Sequence, residues 1–149
     1  MGLDMYLEKK YSLRLLEGHS KVTIEGEDSA LPIEIDNVVT VVSEIFYWRM
    51  ANAIHGWFVD NIQHGLENHC QRSIVSRGKL RQLLYLCRKV VSQPEMAGEL
   101  LPTRHGPLFG STDYDAYYFE QLEETIHVLE KELAKADSEI SSYYYIASW

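Results

Sequence analysis

The chain has 149 residues, of which 46% are apolar and 24% charged, and its formal net charge is −8 at pH 7. These values indicate one soluble globular domain, spanning residues 1–149, with a hydrophobic core of its own. The acidic balance argues against general nucleic-acid binding. No apolar run reaches the roughly 18 residues of a membrane helix. Two cysteines are too few for a disulfide scaffold, so we expect reduced thiols in an intracellular protein.

The N-terminal third of the chain predicts strands. Apolar residues alternate with polar ones from Leu3 to Leu7, which indicates a half-buried strand that residues 11–16 continue. Val22–Glu25 predicts a second short strand, and residues 26–32 predict a loop. The β-branched run Val38–Val42 favours a further strand.

A long helix is predicted next, over about residues 44–64, with its end near Gly65. This segment is apolar on nearly every side, and helices of that kind are buried rather than laid on a surface. Arg49, Asn52 and His55 recur inside it at three-residue spacing, which places them near one face of the predicted helix.

Two more helices and a closing strand are predicted in the C-terminal half. After a short strand over residues 72–75, Ser76 caps a helix from residue 77 to about residue 92, and residues 95–101 add a helical turn. The last helix covers about residues 113–136.

The cap of that last helix is predicted to be Ser111 or Thr112. The aromatic residues 143–149 then predict a strand beside the N-terminal one, because such a terminus would fray unless it were tied down. Strands at both ends with helices between them indicate an α+β fold. We expect a small, mainly antiparallel sheet that includes both terminal strands and packs against three main helices.

Arg49, Asn52 and His55 are the first candidate site. A buried guanidinium, amide and imidazole each cost free energy unless they are paired. Either they line a ligand pocket, where a neutral imidazole serves as base or hydrogen-bond donor, or the core satisfies them through an acid and backbone carbonyls. Trp48 lies on the same predicted helix and is interpreted as core, with stacking on a ligand ring as the alternative.

The loop over residues 101–112 is the second candidate site. Free N–H groups at the start of the helix that follows bind phosphate or carboxylate groups readily. Four residues are expected to contact such a ligand: Arg104, Ser111, Thr112 and Tyr114. The alternative is simple capping, because Asp113 and Asp115 bring carboxylates to the same helix end.

A basic block stands out in this acidic chain. Residues 68–94 contain six basic residues and no acid. Such a block is a candidate anion site, and the alternative is that its bases pair with the acidic C-terminal helix.

No pattern of metal ligands or of an activated nucleophile is present. His64, His69 and Cys70 lie close together but lack a recognised ligand spacing, and a Gly-x-Ser-x-Gly motif is absent. We therefore predict no metal, no cofactor and no catalytic residue.

Five motifs carry a family resemblance: Met1–Leu7, Tyr47–Val59, Leu100–Thr103, Phe109–Tyr118 and Ser148–Trp149. Together they resemble a family of small, largely uncharacterised proteins of bacteriophages and prophages, and the similarity spans nearly the whole chain. The resemblance implies the cytoplasm of an infected bacterium as the setting. It implies no established activity.

Small phage proteins without catalytic motifs often act by binding. The first hypothesis is therefore a non-enzymatic pocket for a small phosphorylated or nucleotide-like ligand, in its concrete form a nucleotide-derived signal of bacterial anti-phage defence that the protein sequesters. The second hypothesis is an inhibitor that binds a host protein through the acidic helix and the tyrosines. The third is a hydrolase with His55 as general base. Self-association into a homo-oligomer is left open.

Overall fold

A four-stranded antiparallel sheet and four helices make up the computed structural model, which describes residues 2–15 and 38–149. The strands are β1 (Asp4–Ser12), β2 (Thr40–Arg49), β3 (Ser73–Val75) and β4 (Ser141–Ser148), and their order across the sheet is β2-β1-β4-β3. The helices are α1 (Asn52–Asn61), α2 (Arg77–Ser92), α3 (Ala97–Leu100) and α4 (Ala116–Leu133). The predicted α+β fold is confirmed. The strand predicted over Val22–Glu25 and the loop over residues 26–32 lie outside the described residues.

The two terminal strands pair at the centre of the sheet. The register of β1 and β4 runs from Asp4 opposite Ser148 to Tyr11 opposite Ser141, which confirms the predicted pairing of the chain ends. The predicted alternation of β1 is also confirmed, because Met5 and Leu7 are fully buried while their neighbours are not.

The long helix predicted over residues 44–64 is wrong in its first third. β2 continues to Arg49 along β1, with Ile45 as an extra residue at a bulge between Phe46 and Glu44. The helix begins only at Asn52, after Met50 has turned the chain with a φ of +53°. Aromatic and β-branched residues favour strands, and apolar side chains on both faces of β2 hide its period of two. The apolar residues of this segment correctly predict burial, but their spacing wrongly predicts a helix where the chain forms a strand.

Helix ends in the second half follow local capping chemistry. Ser76 caps α2 as predicted, since its Oγ accepts a hydrogen bond from the N–H of Lys79 at 3.2 Å. The prediction that Ser111 or Thr112 caps the last helix is wrong. Asp115 caps α4 by accepting the N–H of Tyr118 at 3.0 Å, because a carboxylate is a strong acceptor next to the positive end of a helix.

The core lies between the helices and one face of the sheet. The ring of Phe58 on α1 stacks on that of Tyr145 on β4 with centroids 4.0 Å apart. The indole of Trp48 on β2 donates to Thr125 on α4 at 2.8 Å. These contacts fix the end of β2 and the start of α1 against α4, and the candidate site lies at that junction.

Candidate functional site

The trio Arg49, Asn52 and His55 does not form one polar face. Arg49 is the last residue of β2 and is exposed, whereas Asn52 and His55 lie on α1 and are 4% and 0% exposed. The expectation of three buried groups on one helix is therefore wrong for Arg49, because the chain changes from strand to helix between it and Asn52.

Asn52 joins the start of α1 to the loop that precedes α4. Its Nδ2 donates to the carbonyl oxygens of Phe109 at 3.0 Å and Ser111 at 2.7 Å. Its Oδ1 accepts the backbone N–H of Arg104 at 3.1 Å. Because every hydrogen-bonding atom of the carboxamide except one lone pair is used, Asn52 positions the loop and has little left for a ligand.

His55 is a neutral histidine inside an aromatic cluster. Its Nδ1 lies 2.7 Å from the hydroxyl of Tyr145, and its Nε2 has no hydrogen-bond partner. Burial lowers the pKa of His55 to about 4. The rings of Phe109 and Trp149 pack around it in T-shaped contacts, with centroids 5.1 and 5.5 Å from that of His55. These contacts and its complete burial place His55 in the packed core.

The second candidate site, in the loop over residues 101–112, is only partly assembled. Arg104 pairs with Glu67 at 2.8 Å and Asp60 at 3.3 Å, so surface carboxylates balance its positive charge. Ser111 accepts the N–H of Asp113 at 3.0 Å. Thr112 takes part through its carbonyl, which accepts the hydroxyl of Thr103 at 2.8 Å.

Tyr114 and Trp48, the aromatic candidates, lie apart. The hydroxyl of Tyr114 accepts the N–H of Thr103 at 3.4 Å, and its ring is 43% exposed. Trp48 is 1% exposed and belongs to the core, as its preferred interpretation predicted. Neither ring therefore forms a stacking platform with the other candidates.

A cleft of about 110 Å³ lies beside Asn52, where the start of α1 faces the first turns of α4. We call it the α1 cleft. Asn52 and Ser111 are the predicted site residues that line it, and Arg49, His55 and Arg104 do not. The full lining consists of Met50, Ala51, Asn52, Ala53, Ile54, Thr103, Gly110, Ser111, Asp113, Asp115, Tyr117, Tyr118, Gln121 and Leu122.

The first turn of α1 enters this cleft without a cap. Ala51 occupies the N-cap position and has no side-chain acceptor. The backbone N–H groups of Ala53 and Ile54 follow it, and both residues are buried and line the cleft. Free N–H groups at a helix start carry the positive end of the helix dipole, so they favour an oxygen acceptor.

Gln121 is the residue that sequence reasoning missed. It lies on α4, is 8% exposed and lines the cleft, and its carboxamide has no hydrogen bond to any residue within 2–15 and 38–149. Among the described residues, the fully buried side-chain polar atoms without a hydrogen-bond partner are His55 Nε2, Gln63 Oε1 and Arg77 Nε. The amide of Gln121 is not one of them, so it is accessible from the cleft and its donors are open to a ligand. No sequence pattern signals it, because whether a side-chain amide is partnered depends on its tertiary neighbours.

The cleft wall is strained at its turn. Met50 has a φ of +53°, which non-glycine residues rarely adopt. Gly110, with a φ of +86°, packs against it, and a Cβ added there would lie 3.2 Å from the Cβ of Met50. Such strain often accompanies binding sites.

Acidic groups dominate the charge around the cleft. Asp113 and Asp115 line it. Tyr117, whose hydroxyl donates to the carbonyl of Arg49 at 2.6 Å, has its pKa raised by burial and by the nearby Glu124 and Glu120, against a smaller opposite effect of Arg49. The cleft therefore favours neutral or positively charged ligand groups at its acidic rim.

Three of the six bases in the block over residues 68–94 have partners among the described residues, and one of them, Arg88, pairs with a carboxylate of the acidic C-terminal helix as the alternative expected. Arg72 pairs with Glu8 at 2.6 Å and Arg88 with Glu130 at 2.6 Å. Arg77 donates to the carbonyls of Leu133 and Lys135 at the end of α4, each at 3.0 Å. A groove of about 480 Å³ beside Arg77 and Lys79 remains open, and the buried Nε of Arg77 has no hydrogen-bond partner among the described residues.

Metal ligands do not cluster within residues 2–15 and 38–149, where no group of three or more His, Cys, Asp or Glu side chains is placed to hold an ion. None of the described helices has the length and apolar character needed to cross a membrane. Comparison with protein-family models, with curated proteins and with solved structures gives no match. The assignment of function therefore rests on the geometry of the site.

Proposed function

We propose that this chain is a non-enzymatic binding protein whose small ligand occupies the α1 cleft. One observation carries the proposal: the uncapped first turn of α1 and the carboxamide of Gln121 line one largely apolar cleft. The N–H donors of Ala53, Ile54 and Gln121 have no protein acceptor among the described residues. A ligand that supplies an oxygen acceptor gains affinity from these donors.

The size and lining of the cleft limit the ligand. Its volume of about 110 Å³ is below the roughly 150 Å³ of a cavity that holds benzene. The apolar wall includes Met50, Ile54 and Leu122. A ligand group about as large as one aliphatic side chain, with one carbonyl or hydroxyl oxygen, satisfies both requirements.

Binding without chemistry agrees with the state of His55. It is the strongest general-base candidate from the sequence, yet it lies outside the cleft lining and its pKa of about 4 follows from burial in an aromatic cluster. A general base must reach the proton that it removes. We therefore place the hydrolase hypothesis behind the binding hypothesis.

The phage setting and the host cytoplasm stay predictions within this proposal, whereas a nucleotide-derived ligand does not fit the size and charge of the cleft. A phosphate group would meet Asp113 and Asp115 at the cleft rim, and like charges repel. Of the ligand classes expected from the sequence, the cleft therefore favours a small ligand but disfavours its phosphorylated form.

Thermal unfolding with isocaproamide tests the proposal, because this neutral amide has an aliphatic body and one carbonyl oxygen. We expect the amide to raise the melting temperature of the wild-type protein and of Gln82→Leu, which changes an exposed glutamine on α2. Gln121→Leu should show no such rise. The proposal fails if the amide stabilises none of the three proteins, or if it stabilises Gln121→Leu as much as the wild type.

A second candidate function, binding to a host protein, is favoured by the sheet face that points away from the core. Tyr6 and Tyr47 pack there with centroids 5.1 Å apart, and Ile74 on β3 is 66% exposed. Exposed aromatic and aliphatic side chains together are typical of interfaces. Pull-down with Tyr47→Lys against wild type tests it, and loss of a captured partner is the expected result.

A further inference from the structure

The groove beside Arg77 and Lys79, which we call the α2 groove, lies where α2 begins next to the start of β4. Its volume of about 480 Å³ falls within the roughly 300–1,000 Å³ of pockets that bind small molecules. Among the described residues, its lining carries two permanent cations, Arg77 and Lys79, and one carboxylate, that of Asp137. It shares no lining residue with the α1 cleft, so the proposed function leaves it without a role.

The guanidinium of Arg77 is buried among neutral partners. Its side chain is 10% exposed, and it donates to the carbonyls of Leu133 and Lys135 and to the hydroxyl of Tyr143. Its buried Nε has no hydrogen-bond partner among the described residues. The carboxylate of Asp137 lies 3.8 Å from this Nε, too far for a hydrogen bond, and is 75% exposed. A buried cation costs free energy unless an anion balances it, and here the balance is weak.

The start of α2 adds donors to the same wall of the groove. This helix has 16 residues and no acid in its first turn. The N–H group of Lys79 is capped by Ser76, but the N–H groups of Arg77 and Gly78 have no acceptor among the described residues. Such a helix start attracts anions.

The ammonium group of Lys79 adds a second positive charge that the protein leaves unbalanced. Lys79 forms no ion pair with any residue in the described part of the chain. The helix start, this ammonium and the buried guanidinium of Arg77 therefore favour the same kind of ligand group, an anion with several acceptor oxygens.

From these observations we infer that the α2 groove binds the phosphate group of a small phosphate monoester. Such a group carries a charge of about −1.5 to −2 at pH 7 and three strong acceptor oxygens, which suits two cations and a helix start better than a single carboxylate does. Ile62 and Ile74 in the lining supply apolar surface for the organic part of the ligand. The inference goes beyond the proposed function, because it assigns a second binding site.

Isothermal titration with isopentyl phosphate tests the inference, because this monoester joins a phosphate group to an aliphatic body. We expect Lys79→Gln to weaken its binding about ten-fold, the effect of losing one charge-assisted hydrogen bond. Lys89→Gln is the matched control, since it removes the same charge from the last turn of α2, outside the groove lining. It should bind the monoester as the wild type does.

Asp137→Asn gives a second test with the opposite sign. Its carboxylate opposes a bound phosphate, so the variant should bind isopentyl phosphate about two- to five-fold more tightly, as expected for one exposed charge. Glu139→Gln, which removes an exposed charge close by in the chain but outside the groove lining, should leave the affinity unchanged.

The outcomes separate this site from a free-anion site and from the α1 cleft. No binding of isopentyl phosphate to wild-type protein overturns the inference, as does equal affinity in Lys79→Gln. Inorganic phosphate that binds as tightly as the monoester overturns the ligand class. Gln121→Leu should bind isopentyl phosphate normally, and a loss there would move the phosphate to the α1 cleft and contradict the α2 groove. The response to isocaproamide has no bearing on these results, so each proposal fails independently of the other.

Discussion

Two polar clusters in the interior of this domain are satisfied to different degrees. The first joins β1, α4 and β4, where Lys9 contacts Glu132 at 2.9 Å and the hydroxyl of Tyr143 donates to the same oxygen at 2.9 Å. Lys135 completes it at 2.6 Å on the second carboxylate oxygen. In the α1 cleft, by contrast, Gln121 and the first turn of α1 have no described partner.

This difference teaches how to separate structural polar groups from functional ones. A buried charge is tolerated when its neighbours satisfy it, as around Glu132. Burial alone raises the pKa of Glu132, but hydrogen bonds from Lys135, Lys9 and Tyr143 outweigh it and hold that pKa below its usual value. Hydrogen-bond donors that line a cleft and have no protein acceptor among the described residues are available to a ligand, and those of the α1 cleft are of this kind.

The largest expected effect is on the ionic cluster. Glu132→Leu leaves the ammonium of Lys9, which is 3% exposed, without its carboxylate, and breaking a buried pair costs about 3–5 kcal/mol of unfolding free energy. Urea unfolding measures it. Adding Lys9→Met should restore most of the loss, whereas Arg88→Ala, at an exposed pair with Glu130, should cost less than about 1 kcal/mol. An Arg88→Ala loss as large as that of Glu132→Leu would remove the distinction between buried and exposed pairs.

The next largest effect is expected in the pH dependence of the unfolding free energy, to which His55 contributes. Its pKa is about 4 in the folded protein, because burial disfavours the charged form, against 6.5 ordinarily. The unfolded chain therefore binds more protons between these values, so stability is complete above pH 6.5 and falls as the pH drops toward 4. The full loss is about 3 kcal/mol.

Unfolding free energies measured at several pH values check this expectation. Glu132 acts in the same direction at lower pH, since its lowered pKa means that the stability it provides is lost as acid protonates it. His55→Gln should flatten the profile in the range of His55 only. A profile that stays as steep in that variant would show that another group is responsible.

Asn52→Ala should have an intermediate effect on stability and a larger one on binding. It leaves the carbonyls of Phe109 and Ser111 and the N–H of Arg104 without their partner, which costs about 2 kcal/mol. Because those bonds hold one wall of the cleft, isocaproamide binding should weaken as well. Thermal unfolding with and without the amide measures both. Asn61→Ala is the matched control, because the side chain of Asn61 bonds, among the described residues, to the carbonyl of Trp57 on its own helix. Intact amide binding in Asn52→Ala would show that the loop does not shape the site.

The smallest effect on stability is expected for Gln121→Leu. Replacing an unpartnered amide by an apolar group of similar size is nearly neutral, so the unfolding free energy should change by less than about 1 kcal/mol. Binding of isocaproamide should be lost all the same. A large loss of stability in calorimetry would instead make Gln121 a structural residue.

Much of the fold was predictable because it follows local patterns. The alternation from Leu3 to Leu7, the cap at Ser76 and the aromatic C-terminal strand each depend on residues close in sequence. The junction of β2 and α1 was not predictable from the sequence, because aromatic and apolar residues occupy both faces of β2 and the chain turns at Met50 without glycine.

The candidate site was predictable only in part. Asn52 and Ser111 are predicted site residues that do line the cleft. Arg49 is separated from Asn52 because it ends β2, and His55, three residues after Asn52 on α1, lies in the aromatic core instead. The partner of Lys9 lies 123 residues away in the chain, and no local pattern reveals such a contact. Whether a buried amide is satisfied depends on tertiary neighbours, so Gln121 could be recognised only from the structure.

The most direct test of the binding cleft is a ¹H–¹⁵N correlation spectrum of the protein titrated with isocaproamide. The backbone signals of Ala53 and Ile54 and the side-chain amide signals of Gln121 should shift most, because these groups gain an acceptor that the described residues do not supply. Unchanged signals at all three residues, or shifts confined to the sheet face around Tyr6 and Tyr47, would contradict the assignment of the α1 cleft as the binding site.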